Sequence, residues 1–140
     1  MTTEGETTQL RARLLVWWVI WAALLGGVVV IYFTLGRRSV PASGGITIID
    51  VVGLVQLAAS TTLRWLFFPR LSSDPQKALI AFIIGLAMAE SCSFLGIFLG
   101  GPYRDELFVL GALGIVQWMP LYARALYAPA AAGFRPAADR

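Results

Sequence analysis

Residues 75–99 read PQKALIAFIIGLAMAESCSFLGIFL, with one cation, Lys77, at the start and one carboxylate, Glu90, amid apolar and small side chains. A helix needs about 20 consecutive apolar residues to cross a hydrocarbon core roughly 30 Å thick, and this stretch meets that length. No period-2 alternation suggests a barrel strand, and only helices or closed barrels satisfy their backbone polar groups in lipid. The segment before it, Pro69-Arg70-Leu71-Ser72-Ser73-Asp74-Pro75, ends one helix and starts the next. Ser73 or Asp74 stands at the N-cap, and Pro75 at the first helical position, where its missing N–H is harmless. After the stretch, Gly100-Gly101-Pro102 stops the helix, and Asp105-Glu106 complement the N-terminal dipole of another.

Three further segments pass the same length test, giving predicted spans over 14–35, 46–68, 75–99 and 106–127. The first is too long for a signal-peptide core. The Gly-, Ser- and Pro-rich run at 36–45 separates spans one and two. The reading is an all-α integral membrane four-helix bundle over 14–127, after a short cytoplasmic segment at 1–13. Residues 128–140, rich in Ala and Pro, read as a flexible cytoplasmic tail.

Composition agrees. Of 140 residues, 58% are hydrophobic and 14% charged, against about 45–50% and 25% in soluble domains. Net charge is +3, with the basic residues in flanks and loops rather than clustered on a solvated face, so no nucleic-acid partner is expected. Histidine is absent and Cys92 is the only cysteine, which excludes an internal disulfide and leaves no metal or cofactor site to expect.

Lys and Arg concentrate on the cytoplasmic side of membrane proteins. With the N-terminus inside, the inner set is Arg11, Arg13, Arg64, Arg70, Lys77, Arg124, Arg135 and Arg140, and the outer set is Arg37, Arg38 and Arg104. The bias predicts both termini in the cytoplasm. Abundant Arg, Ala and Gly point to a bacterial cytoplasmic (inner) membrane. Gly53-Leu54-Val55-Gln56 in span two echoes Gly114-Ile115-Val116-Gln117 in span four, which would suit two tandem hairpins.

Polar groups inside a membrane are costly and so mark function or packing. In span two, Asp50, Gln56, Ser60, Thr61 and Arg64 share one face with Gly53, at about 100° per residue. Asp50 and Arg64 sit near opposite ends and are expected to reach the interfaces, Arg64 by snorkelling. In span three, Ala78, Ala81, Gly85, Ala89, Cys92 and Gly96 fall within an arc of about 80°. This is a helix-packing stripe of small residues that admits a close helix neighbour. Glu90, Gln56 and Gln117 lie at similar depth. Two readings of Glu90 stand open: a neutral carboxyl hydrogen-bonded to Gln56 or Gln117, fixing helix register, or a carrier of protons or cations with those residues and Arg64 nearby. Pro120 removes the hydrogen bond to the Val116 carbonyl and predicts a kink with a freed carbonyl. Gly26-Gly27, Gly111 and Gly114 read as close-packing sites.

At Leu86-Ala87-Met88-Ala89-Glu90, followed by Phe94-Leu95-Gly96, the chain resembles the carboxylate helix of rotary ATPase c subunits (proteolipids), where a Glu follows small residues in mid-membrane. The resemblance covers part of one span and implies Glu90 as an ion-carrying carboxylate. Span one departs from that family, holding Gly26-Gly27 amid Trp17, Trp18 and Trp21 rather than a run of alternate glycines. The chain is also similar to uncharacterised small four-span bacterial membrane proteins.

The function expected is a structural or accessory subunit of a membrane assembly, whose partners are lipids and either other membrane subunits or a second copy. A proton- or cation-linked carrier or channel component using Glu90 is the alternative. Catalysis needs a nucleophile, an acid/base pair or a metal converging in a pocket. With Ser91, Ser93, Cys92 and Glu90 on one helix, no His and no second mid-membrane carboxylate, no catalytic residue is assigned and no enzyme is expected.

Overall fold

The computed structural model describes residues 4–36, 44–71 and 74–127. The expected cap at Ser73, the outer cations Arg37 and Arg38, and the tail with Arg135 and Arg140 lie outside them. Regular structure among the described residues is wholly helical: α1 (Glu4–Leu35), α2 (Ile48–Thr62) continuing through a π turn (Leu63–Phe67) into α3 (Phe68–Leu71), α4 (Pro75–Leu99), α5 (Arg104–Val116), and a 3-10 turn (Pro120–Tyr122) leading into α6 (Ala123–Tyr127). Four stretches, Thr8–Leu35, Ile48–Leu71, Pro75–Leu99 and Arg104–Tyr127, are long and apolar enough to cross a membrane. Helix α1 starts earlier than the apolar run alone predicts, because Glu4 to Arg13 carry on the helix beyond it.

The starts of α2 and α4 are fixed by side chains. Thr47 and Asp50 form a reciprocal capping box: the Asp50 amide donates to Thr47 Oγ1 at 3.4 Å, and the Thr47 amide donates to Asp50 Oδ2 at 2.7 Å. Asp74 caps α4, accepting from the amides of Gln76 at 2.9 Å and Lys77 at 3.4 Å, with Pro75 in the first turn.

Helix α4 is the hub, packed by α1, α2 and α5. Its six stripe residues are all buried, and the neighbours that use them are identifiable. A Cβ on Gly96 would stand 2.7 Å from Leu107 Cβ, and one on Gly111 would collide with Ser93. One on Gly114 would lie 3.0 Å from Ala89 Cβ, and one on Gly85 would fall inside the Trp118 indole. These pairs descend in step, so α5 runs antiparallel down α4 with the backbones in close approach, as small residues permit. On the other side, Gly53 of α2 faces Cys92, whose Sγ would be 3.6 Å from an added Cβ. Gly53 and Gly114, matched in the sequence echo, thus both abut α4.

Helix α1 joins chiefly through aromatic residues. Trp17 lies 4.7 Å from Phe82 and 5.9 Å from Tyr122, centroid to centroid, and Trp21 Nε1 donates to the Ile115 carbonyl at 2.9 Å. Near the opposite end Tyr32 stacks on Phe108 at 3.9 Å and donates to Asp105 at 3.0 Å. Trp17 Nε1 also donates to the Tyr127 hydroxyl at 3.3 Å, so the first and last described helices meet at one end of the bundle. Between these anchors, Gly26 and Gly27 have nothing within 4 Å of a would-be Cβ. No other described residue packs closely on either glycine.

Candidate functional site

The polar residues of spans two and four meet where both helices lose regularity. Pro120 cannot donate, and the residue before a proline is pushed to extended backbone. Met119 accordingly has φ −48° and ψ 126°, and α5 ends at Val116. The kink expected at Pro120 is a complete interruption. The Val116 carbonyl is taken by the Met119 amide at 2.9 Å, so the freed acceptor that needs a partner is that of Gln117. Arg64 supplies it: its Nε donates to the Gln117 carbonyl at 3.2 Å.

Across from this break runs the π turn of span two. A π turn closes a wider ring than an α turn and so rotates the succeeding residues about the helix axis. Phe68 thereby comes round to a buried position, 5.5 Å from Trp118 and 4.6 Å from Tyr122. The Arg64 guanidinium lies 4.5 Å from the Tyr122 ring centroid, 5.1 Å from Phe68, 5.4 Å from Trp65 and 5.6 Å from Trp118, all within cation–π range. The expectation that Arg64 extends past its own helix to the interface is corrected here. The side chain is half-buried and turned toward span four, because a broken helix offers a carbonyl and aromatic faces close by.

A second chain of bonds runs beside it. Ser60 Oγ donates to the Gly85 carbonyl at 2.7 Å and accepts from Trp118 Nε1 at 3.0 Å. Gln117 Nε2 donates to Thr61 Oγ1 at 3.2 Å. Spans two, three and four are thus pinned together at one level. Sequence reasoning finds only half of this seam: Ser60, Thr61, Arg64 and Gln117 stand out as polar, whereas nothing distinguishes Trp118 from the apolar residues around it.

Glu90 is not part of the seam. It is half-buried at the edge of the packed face of α4, with no hydrogen bond or ion pair among the described residues. The expected bonds from Glu90 to Gln56 or Gln117 are absent: Gln117 serves Thr61 and Arg64, and the buried Gln56 Oε1 has no partner. Asp50, in the first turn of α2, is 2% exposed, because its capping bonds hold the carboxyl against Thr47; its other oxygen, Oδ1, has no partner among the described residues. Cys92 is buried, 3.7 Å from the Leu107 carbonyl, and fills the stripe as a small side chain. No group of His, Cys, Asp and Glu suited to a metal ion occurs among the described residues.

No family model matches the chain, and neither does any curated protein or solved structure. The seam must therefore be read from its own chemistry. Its donors and acceptors largely satisfy one another, which locks helices in register, and its one charged member is a guanidinium held between rings.

Proposed function

We propose that this chain is a multi-pass integral membrane protein, with both termini in the cytoplasm, that acts as a structural or accessory subunit and associates through α1. The reading rests on how the small residues divide. Those of α4 and α5 abut neighbours within the chain, whereas Gly26 and Gly27 abut nothing and lie beside the exposed Ala22 and Ala23. Ala22–Gly26 and Ala23–Gly27 have the four-residue spacing that lets membrane helices approach closely. The partner helix is that of a second copy or of another membrane subunit. Sizing with light scattering in mild detergent, together with affinity pull-down, tests the reading. A stable complex dispersed by Gly26→Leu supports it; a monodisperse monomer with no co-purifying partner refutes it. Reporter fusions at the two termini test the topology, and opposite sides would refute it.

The Glu90 carrier reading keeps one specific support, a mid-helix carboxylate with no partner among the described residues. Proteoliposome flux of wild type against Glu90→Gln decides it: loss in the variant supports a carrier, and equal flux, or none in either, removes it.

A further inference from the structure

We propose that the open face of α4, bounded by Glu90 on one flank and by Gln56 of α2 on the other, is a two-fold contact with a second copy of this chain, in which each Glu90 carboxyl meets the partner's Gln56 amide. The inference rests on the association reading above and commits the partner to a second copy.

Two polar groups are left over at one depth. Glu90 has no hydrogen bond or ion pair among the described residues, and the buried Gln56 Oε1 has no partner there. Gly53 faces Cys92, and Ser60 bonds to Gly85, so α2 and α4 pass each other in step. Gln56 therefore stands level with Ala89, about 1.5 Å of helix rise from Glu90. The two do not meet within one chain, because they lie on opposite flanks of α4. At about 100° per residue, Glu90 is some 80° past Phe82, which meets Trp17 of α1, and some 160° from Cys92, which meets α2. On α2, Gln56 is turned from Gly53 and Ser60 in the sense opposite to Leu57 and Thr61, which meet α5. It thus borders the side of α4 away from α5. Between the flanks that side is open: Ile80, Ile83, Ile84 and Ala87 are exposed.

A two-fold axis along the membrane normal keeps depth and exchanges flanks. With the axis on this face, the Glu90 flank of one copy falls opposite the Gln56 flank of its partner, and the pairing occurs twice. The groups are complementary: the amide nitrogen donates to the carboxyl, and a neutral carboxyl returns a bond to the amide oxygen. An apolar partner would leave both unpaired in hydrocarbon, which is costly. Ala87, between the flanks, is small enough to let the two α4 helices approach closely. On α1, Trp17 meets Phe82, so Ala23 and Gly27 bracket Glu90 in depth and extend the contact.

Förster transfer between labelled full-length chains in mild detergent tests this. Glu90→Leu and Gln56→Leu should each weaken dimerisation about tenfold, since each removes the pairing twice. The double variant should be little weaker than either, because one interaction is lost in all three. Glu90→Gln, which still bonds to an amide, should stay within about threefold of wild type. In a Cys92→Ala background, Ala87→Cys should cross-link to itself on oxidation in membranes, and Leu113→Cys, exposed on α5, should not. Dimers indifferent to both leucine changes overturn the proposal, as does cross-linking at Leu113→Cys in place of Ala87→Cys. Dispersal by Gly26→Leu alone would then leave the association reading standing. A complex holding one copy and a different subunit overturns the second-copy assignment, and a wild-type monomer without partners overturns both.

Discussion

Replacing Gly85 with alanine puts one methyl group where the Trp118 indole now lies. The ring has little room to yield. It is fully buried, edge-on to Phe68 at 5.5 Å and to Phe82 at 6.1 Å, and its Nε1 is held by Ser60 at 3.0 Å. Overpacking a filled core by a methyl group costs about 1–3 kcal/mol. Losing the indole bond adds about 0.6 kcal/mol by the averages measured within membranes. Set against the roughly 1 kcal/mol that alanine gains over glycine inside a helix, the expected net destabilisation is about 0.6–2.6 kcal/mol, a substantial share of the stability of a small domain. Reversible unfolding by SDS titration, followed by far-UV circular dichroism, measures it without relying on tryptophan emission. Gly45→Ala is the control: exposed and with nothing within 4 Å of an added Cβ, it should shift stability by less than about 1 kcal/mol, and if anything upward. In the double mutant Gly85→Ala/Trp118→Leu the two costs should fall short of additivity by at least about 1 kcal/mol, since the second change removes what the first strikes. A Gly85→Ala cost below about 0.5 kcal/mol, or full additivity in the cycle, would refute the packing described.

Arg64→Met keeps the length of the side chain but leaves the Gln117 carbonyl without its donor, and should cost about 1.5–3 kcal/mol in the same titration. Pro120→Ala restores an amide that can reach the Val116 carbonyl; hydrogen exchange across 117–121 should slow by about tenfold or more as the helix closes, and faster exchange would contradict the assignment of the break to proline. Cys92, buried against α2 and α5, should resist maleimide in mild detergent and react promptly in SDS, and Cys92→Ala should cost no more than about 1–2 kcal/mol. Thr47→Ala removes the capping box of α2 and should cost about 1 kcal/mol.

The helices are legible in the sequence because apolar length, proline and capping residues act locally: Asp74 and Pro75 announce the start of α4 from their own chemistry. The buried face of α4 is legible for a related reason, since the spacing of Ala78, Ala81, Gly85, Ala89, Cys92 and Gly96 alone puts them in one row. The residues that meet that row are not. Nothing near Gly85 in the chain announces Trp118, and their fit depends on a crossing of spans three and four that only tertiary packing decides. The same holds for Arg64. Its depth suggests an interfacial escape, but the carbonyl it finds is created by Pro120, a residue of another span. Glu90 shows the converse: similar depth on three helices permits contact but does not produce it, because helix rotation sets Gln117 toward Thr61 instead.

Trp17 reaches forward to Phe82, Tyr122 and Tyr127, the last of them 110 residues downstream. During synthesis, therefore, α1 is made well before the residues it packs against. Until they are made, the aromatic side chains of α1 lack the neighbours that bury them. The packing of α1 is therefore complete only once α6 exists, and removing 122–127 would take two of the three aromatic neighbours from Trp17.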